Sequence, residues 1–69
     1  MSQLKTNLMN VFKFNYSREM YSGGIVLVAA KNRSDAQLLV DDWWEFDSEI
    51  KGLTYEGEPC IIDSYVYIE

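Results

Sequence analysis

Ser34-Asp35-Ala36-Gln37-Leu38-Leu39-Val40-Asp41-Asp42-Trp43-Trp44-Glu45-Phe46-Asp47 is the stretch on which the fold turns. Ser34 and Gln37 stand at capping-box spacing, the hydroxyl accepting from the Gln37 amide while the Gln37 side chain reaches back. Asp35 in the first turn complements the positive end of the helix dipole. At about 100° per residue, Ala36, Leu39, Val40, Trp43, Trp44 and Phe46 share an arc, and Gln37, Asp41, Asp42 and Glu45 share the other. Leu38 alone is out of place, and Asp47 would re-enter the apolar arc. The spacing predicts one amphipathic helix from Ser34 to Phe46 or Asp47.

Around that helix the chain alternates with a period of two, which is a strand signal. Asn10, Phe12, Phe14 and Tyr16 oppose Met9, Val11, Lys13 and Asn15. Ile25–Ala30 is apolar throughout, as in a strand buried on both faces. Ser17–Gly24 between them, with Gly23-Gly24, reads as the turn of a hairpin, which Met20 and Tyr21 could shorten by extending either strand. Cys60, Ile62, Ser64, Val66 and Ile68 alternate with Ile61, Asp63, Tyr65, Tyr67 and Glu69 in a last strand. Ser48–Pro59 contains the breakers Gly52, Gly57 and Pro59. Within it, Leu53–Tyr55 could form a short strand hairpinned onto the last one.

The expected fold is therefore α+β: one domain over residues 1–69, in β-β-α-β order. Its small antiparallel sheet has three strands, or four if Leu53–Tyr55 adds one, with the helix packed on one face. A right-handed crossover returns the last strand beside the first, giving the order 2-1-3. Residues 1–6 read as a flexible tail.

One helix covers one face of such a sheet. If it covers Phe12, Phe14, Ile25, Leu27, Ala29, Ile62, Val66 and Ile68, the other face presents Val11, Val26, Val28, Ile61, Tyr65 and Tyr67. If the sheet is turned over, the Phe12, Phe14 and Tyr16 side is exposed instead. An uncovered apolar face of this size points to association. Covering about 300 Å² at roughly 25 cal/mol per Å² contributes several kcal/mol. Self-association is its simplest form, since most soluble oligomers are symmetric homomers. Trp43 falls near the middle of the helix's apolar arc and Trp44 at its rim, as a core-edge residue or an interface anchor.

Charge divides the chain. Residues 1–33 carry Lys5, Lys13, Arg18, Lys31 and Arg33 against Glu19, whereas residues 34–69 carry ten acids against Lys51, for a net charge of −5. That balance disfavours direct binding to nucleic acid or to an anionic membrane. Asp41, Asp42 and Glu45, extended by Asp47 and Glu49, would make an acidic surface. Such a surface either only solubilises or imitates nucleic-acid phosphates in the basic cleft of a DNA- or RNA-processing enzyme, as small acidic antagonists from phages and mobile elements do.

The chain contains no histidine. It therefore lacks the usual general base, the commonest metal ligand and any Ser-His or Cys-His pair. Gly23-Gly24 lacks the rest of a phosphate cradle. Asp47, Glu49 and Glu58 stand at positions 1, 3 and 12 of a calcium-type loop with Gly52 at 6, but Lys51 fills an oxygen-ligand position and Pro59 opposes an exiting helix. A calcium-responsive loop is thus the weakest alternative, and no cofactor is expected. A single cysteine, no export signal in Met1–Asn10 and no apolar run near the ~20 residues of a membrane span suggest the cytoplasm. The residues favour a non-enzymatic domain whose partner is another protein or a second copy.

Overall fold

The computed structural model describes residues 8–16 and 23–67. The expected tail at 1–6, the central part of the expected turn at 17–24, and Ile68 lie outside them. The order is β1 (Leu8–Tyr16), β2 (Gly23–Ala30), α1 (Arg33–Leu38), β3 (Trp44–Glu56) and β4 (Cys60–Tyr67). The four strands form one antiparallel sheet in the order β3-β1-β2-β4.

This corrects the β-β-α-β expectation. Among the described residues only six are helical, and the segment from Trp44 to Glu56 is strand. The cap lies two residues earlier than Ser34: Asn32 is extended, and its side-chain oxygen accepts from the Asp35 amide at 2.9 Å. After Leu38 the chain tightens, with Leu39 and Val40 donating to Ala36 and Gln37. Trp44 then donates to Asp41 at 3.1 Å, closing a turn through Asp41 and Asp42. Tandem Asp and bulky aromatics are poor helix formers, and aromatics suit a pleated surface. From Trp44 to Asp47 the residues also fit a period of two. Trp44 and Phe46 are half-buried and Glu45 and Asp47 exposed, and the bulge at Asp47 then turns Ser48 to the face of Lys13 and Glu49 to that of Phe12.

The helix therefore contributes a single buried residue, Ala36, to the core. Phe12, Phe14, Val26, Val28 and Ala30 form one core face, met by Ala36 from the helix and by Val40, Trp44 and Phe46. Phe14 meets Phe46 edge-on at 5.6 Å between ring centres, a favoured aromatic geometry. Arg33 sits 4.4 Å above the Phe46 ring, and Gln37 donates to the Trp44 carbonyl at 3.4 Å. Short as it is, α1 is tied to β3 at both contacts.

The last two strands are also rearranged. β4 pairs with β2, not with the first strand, so the order 2-1-3 does not form. Leu53–Tyr55 lies inside β3, where Tyr55 stands opposite Met9 of β1, and it makes no hairpin with β4. β3 and β4 are thus joined by residues 57–59 yet occupy opposite edges. In a flat sheet, Glu56 and Cys60 would lie roughly 14 Å apart across the strands and about 10 Å along them. Four Cα steps reach only about 14 Å. The sheet must coil so that its two edges approach at this end. Tyr55 of β3 and Cys60 of β4 come close enough there for the cysteine to raise the pKa of the tyrosine. At this end Met9, Val11 and Ala29, on the face away from α1, are buried.

Candidate functional site

Register decides which side chains remain available. Phe12 stands opposite Val28 and Phe14 opposite Val26, so Val26 and Val28 lie on the helix side, against the expected grouping with Val11. Val11 stands opposite Ala29 on the other side. All three valines are buried, at 1% exposure or less. They cannot form an open face: the helix side of the two central strands is buried, and the other side is buried at Met9, Val11 and Ala29 but only half-buried at Lys13, Ile25 and Leu27.

The two tryptophans exchange roles. Trp44 packs half-buried against the core, while Trp43, in the turn, is 44% exposed. A strand at Trp44 places consecutive residues on opposite sides, which the helical reading could not anticipate.

Among the described residues, β4 is an edge strand. Ile61 through Tyr65 are all exposed, whichever face they belong to. Ile61 stands opposite Val28 on the helix side, and Tyr65 opposite Ile25 on the other, so each face of this edge carries an exposed side chain. Ile62 is the extra residue of a bulge between Leu27/Asp63 and Val28/Ile61. Ile25, Leu27, Asp63, Ser64 and Tyr65 line a shallow groove of about 160 Å³ beside the edge. Tyr67 stands opposite Gly23 near the end of β4.

Ser64 carries the most specific feature of this edge. Its N–H is held by the Asp63 carboxylate at 2.9 Å. Asp63 and Ser64 are both exposed, so this bond lies at the solvent-facing part of the strand.

The opposite edge is built differently. Against β1, Asp47 is one extra residue, and Ile50-Lys51-Gly52-Leu53 all fall where β1 supplies only Val11. Glu45, Asp47 and Lys51 are exposed along it. Bulges and charges are devices by which sheets refuse edge-on pairing.

The expected acidic surface is dispersed. Asp41 and Asp42 lie in the turn before β3, whereas Glu45, Asp47 and Glu49 lie along β3. Asp47 is paired with Lys13 at 3.2 Å, and Glu49 with Lys51 at 3.2 Å. The segment from Asp47 to Glu56 is strand, so it offers no twelve-residue calcium loop. Among the described residues, no group of three acidic or cysteine side chains could hold a metal ion. Nor is any helix among them long and apolar enough to cross a membrane.

Comparisons with protein-family models, curated proteins and solved structures find no match to the chain.

Proposed function

We propose that this chain is a non-enzymatic protein-binding domain that takes an extended polypeptide strand onto the outer edge of β4. The observation that carries the reading is the contrast between its edges. β3 is twice bulged and charged, while β4 holds one bulge and one charged residue, Asp63, between Cys60 and Tyr67. Strand addition draws affinity from main-chain hydrogen bonds and selectivity from pockets beside alternate side chains. Here the groove at Ile25, Leu27 and Tyr65 supplies such a pocket. Ile61 and Ile62, 48% and 39% exposed, add apolar area on the strand itself.

Selection from a displayed library of random peptides, with the full chain as bait, tests this. Enriched peptides should be rich in β-branched and aromatic residues. They should bind the native chain and fail on Ser64→Pro, which deletes the N–H that Asp63 holds. Proline is tolerated on edge strands, so the fold should survive. Peptides that bind both proteins equally would refute the reading.

A further inference from the structure

Resting on that reading, we infer that the strand received by β4 is β4 of a second copy, paired antiparallel about a two-fold axis through Ser64. Three observations support this occupant. First, the outer side of β4 presents backbone groups, so whatever docks there must itself be extended. Second, Asp63 is the only charged residue from Cys60 to Tyr67 in a chain of net charge −5. A foreign partner recruited by charge would meet the acidic turn and β3, whereas β4 is where two copies repel least. Third, the β3 edge is obstructed by bulges and charge. With one open and one obstructed edge, pairing stops at two copies and gives a closed dimer in place of a fibre.

The axis follows from the sequence of the strand. Centring the pair on Ser64 uses residues 62–66. It sets Asp63 opposite Tyr65 of the second copy and Ile62 opposite its Val66, and the bulge at Ile62 turns Ile61 to the other face and ends the pairing there. Centring on Asp63 would face two carboxylates directly, which destabilises a strand pair. A two-fold axis perpendicular to the sheet preserves its faces, so the product is a continuous eight-stranded sheet with both helices on one side. Formation requires each Asp63 to release its neighbour's N–H, which then donates to the Ser64 carbonyl of the other copy. Edge pairing of five residues is a small contact, so the equilibrium should depend on concentration over an accessible range.

Sedimentation equilibrium on the full chain tests this, with far-UV circular dichroism as a check on folding. The native chain should pass from monomer to dimer as concentration rises. Ser64→Pro should weaken the dimer by about ten- to thirtyfold, since two strand hydrogen bonds are lost. Two substitutions at one position test the register without touching the backbone. Tyr65→Glu places like charges opposite Asp63 twice and should dissociate the dimer. Tyr65→Lys creates two cross-strand ion pairs and should retain it. A native chain that stays monomeric at its highest soluble concentration overturns the self-pairing. So does a dimer that Ser64→Pro and Tyr65→Glu leave intact. If library peptides nevertheless bind β4 and fail on Ser64→Pro, the wider strand-addition reading stands and only the identity of the occupant falls.

Discussion

Tyr55 and Cys60 stand on strands at opposite edges of the sheet, yet they come close enough for the cysteine to raise the pKa of the tyrosine. That contact marks where the coiled sheet brings its edges together, and it should be visible in titration. A sulfur within reach of the phenolic hydrogen favours the protonated tyrosine and, once ionised, repels a phenolate, so Tyr55 is held above the ordinary tyrosine value of 10.0. The unfolded chain loses the proton near that ordinary value while the folded chain still keeps it. The contribution of the contact to stability is therefore complete below about pH 10 and falls away as pH rises through the folded value. Ultraviolet titration should show one tyrosine ionising late, and Cys60→Ala should bring it back among the others. A late tyrosine that persists in Cys60→Ala would remove the contact as its cause.

Phe14 is the residue whose loss the core should tolerate least. It is fully buried between Val26 and Phe46, on the face that holds most of the core. Truncating a buried phenylalanine to alanine costs about 3–5 kcal/mol. A domain of this size has only about 3–10 kcal/mol in total. Phe14→Ala should leave the chain largely unfolded at room temperature, and Phe14→Leu should lose about 1–2 kcal/mol in a urea titration. Equal stability in Phe14→Leu and Phe14→Ala would mean that the site collapses freely and is not tightly packed.

The N-cap separates two readings of one stretch. Ser34 fits the capping box by spacing, but Asn32 makes the bond to the Asp35 amide. Asn32→Ala should cost about 1 kcal/mol and Ser34→Ala no more than about 0.5 kcal/mol, by urea denaturation. The reverse order would restore Ser34 as the cap and shift the helix start by two residues.

That misplacement shows which parts of the fold the residues disclose. Phe12 and Phe14, and the apolar run Ile25–Ala30, announce their strands because nothing competes with a period of two there. Residues 34–47 fit two periods at once. Ala36, Leu39, Val40, Trp43 and Trp44 satisfy the helical arc, while Trp44 and Phe46, alternating with Glu45 and Asp47, satisfy the strand. Over so short a span periodicity does not choose. The better indicators were Asp41-Asp42, which favours a turn, and the weak helix propensity of Trp, Phe and Asp.

Face assignment failed for a different reason. The parity of β2 against β1 depends on the connection between them, and a shift of one residue exchanges every side chain between faces. The bulge at Ile62 then breaks parity within β4, so Ile61 shares a face with Ser64 and Cys60 with Tyr65. No alternation pattern could follow that. Of the expected interface, Ile61 and Tyr65 are exposed and the three valines are core. The exposed pair could be named from hydrophobicity, but their edge position required the topology.

Two glycines in and after β3 give the sharpest test of its path. Gly52 has φ +78°, within the excursion where four residues of β3 face one of β1, and a Cβ added there meets nothing within 4 Å. Gly57 has φ +144°, and a Cβ there would lie 3.1 Å from the Tyr55 ring. Gly52→Ala thus isolates the backbone cost of a left-handed residue, about 1–2 kcal/mol. Gly52→Asn should recover part of it, because asparagine tolerates that region. Gly57→Ala adds crowding of the ring that holds the two edges together, so it should cost more than Gly52→Ala and lower the late Tyr55 titration toward its ordinary value. If both alanine variants lose the same stability and Tyr55 still titrates late, the link at 57–59 does not press on the ring, and the edges are held by the Cys60 contact alone.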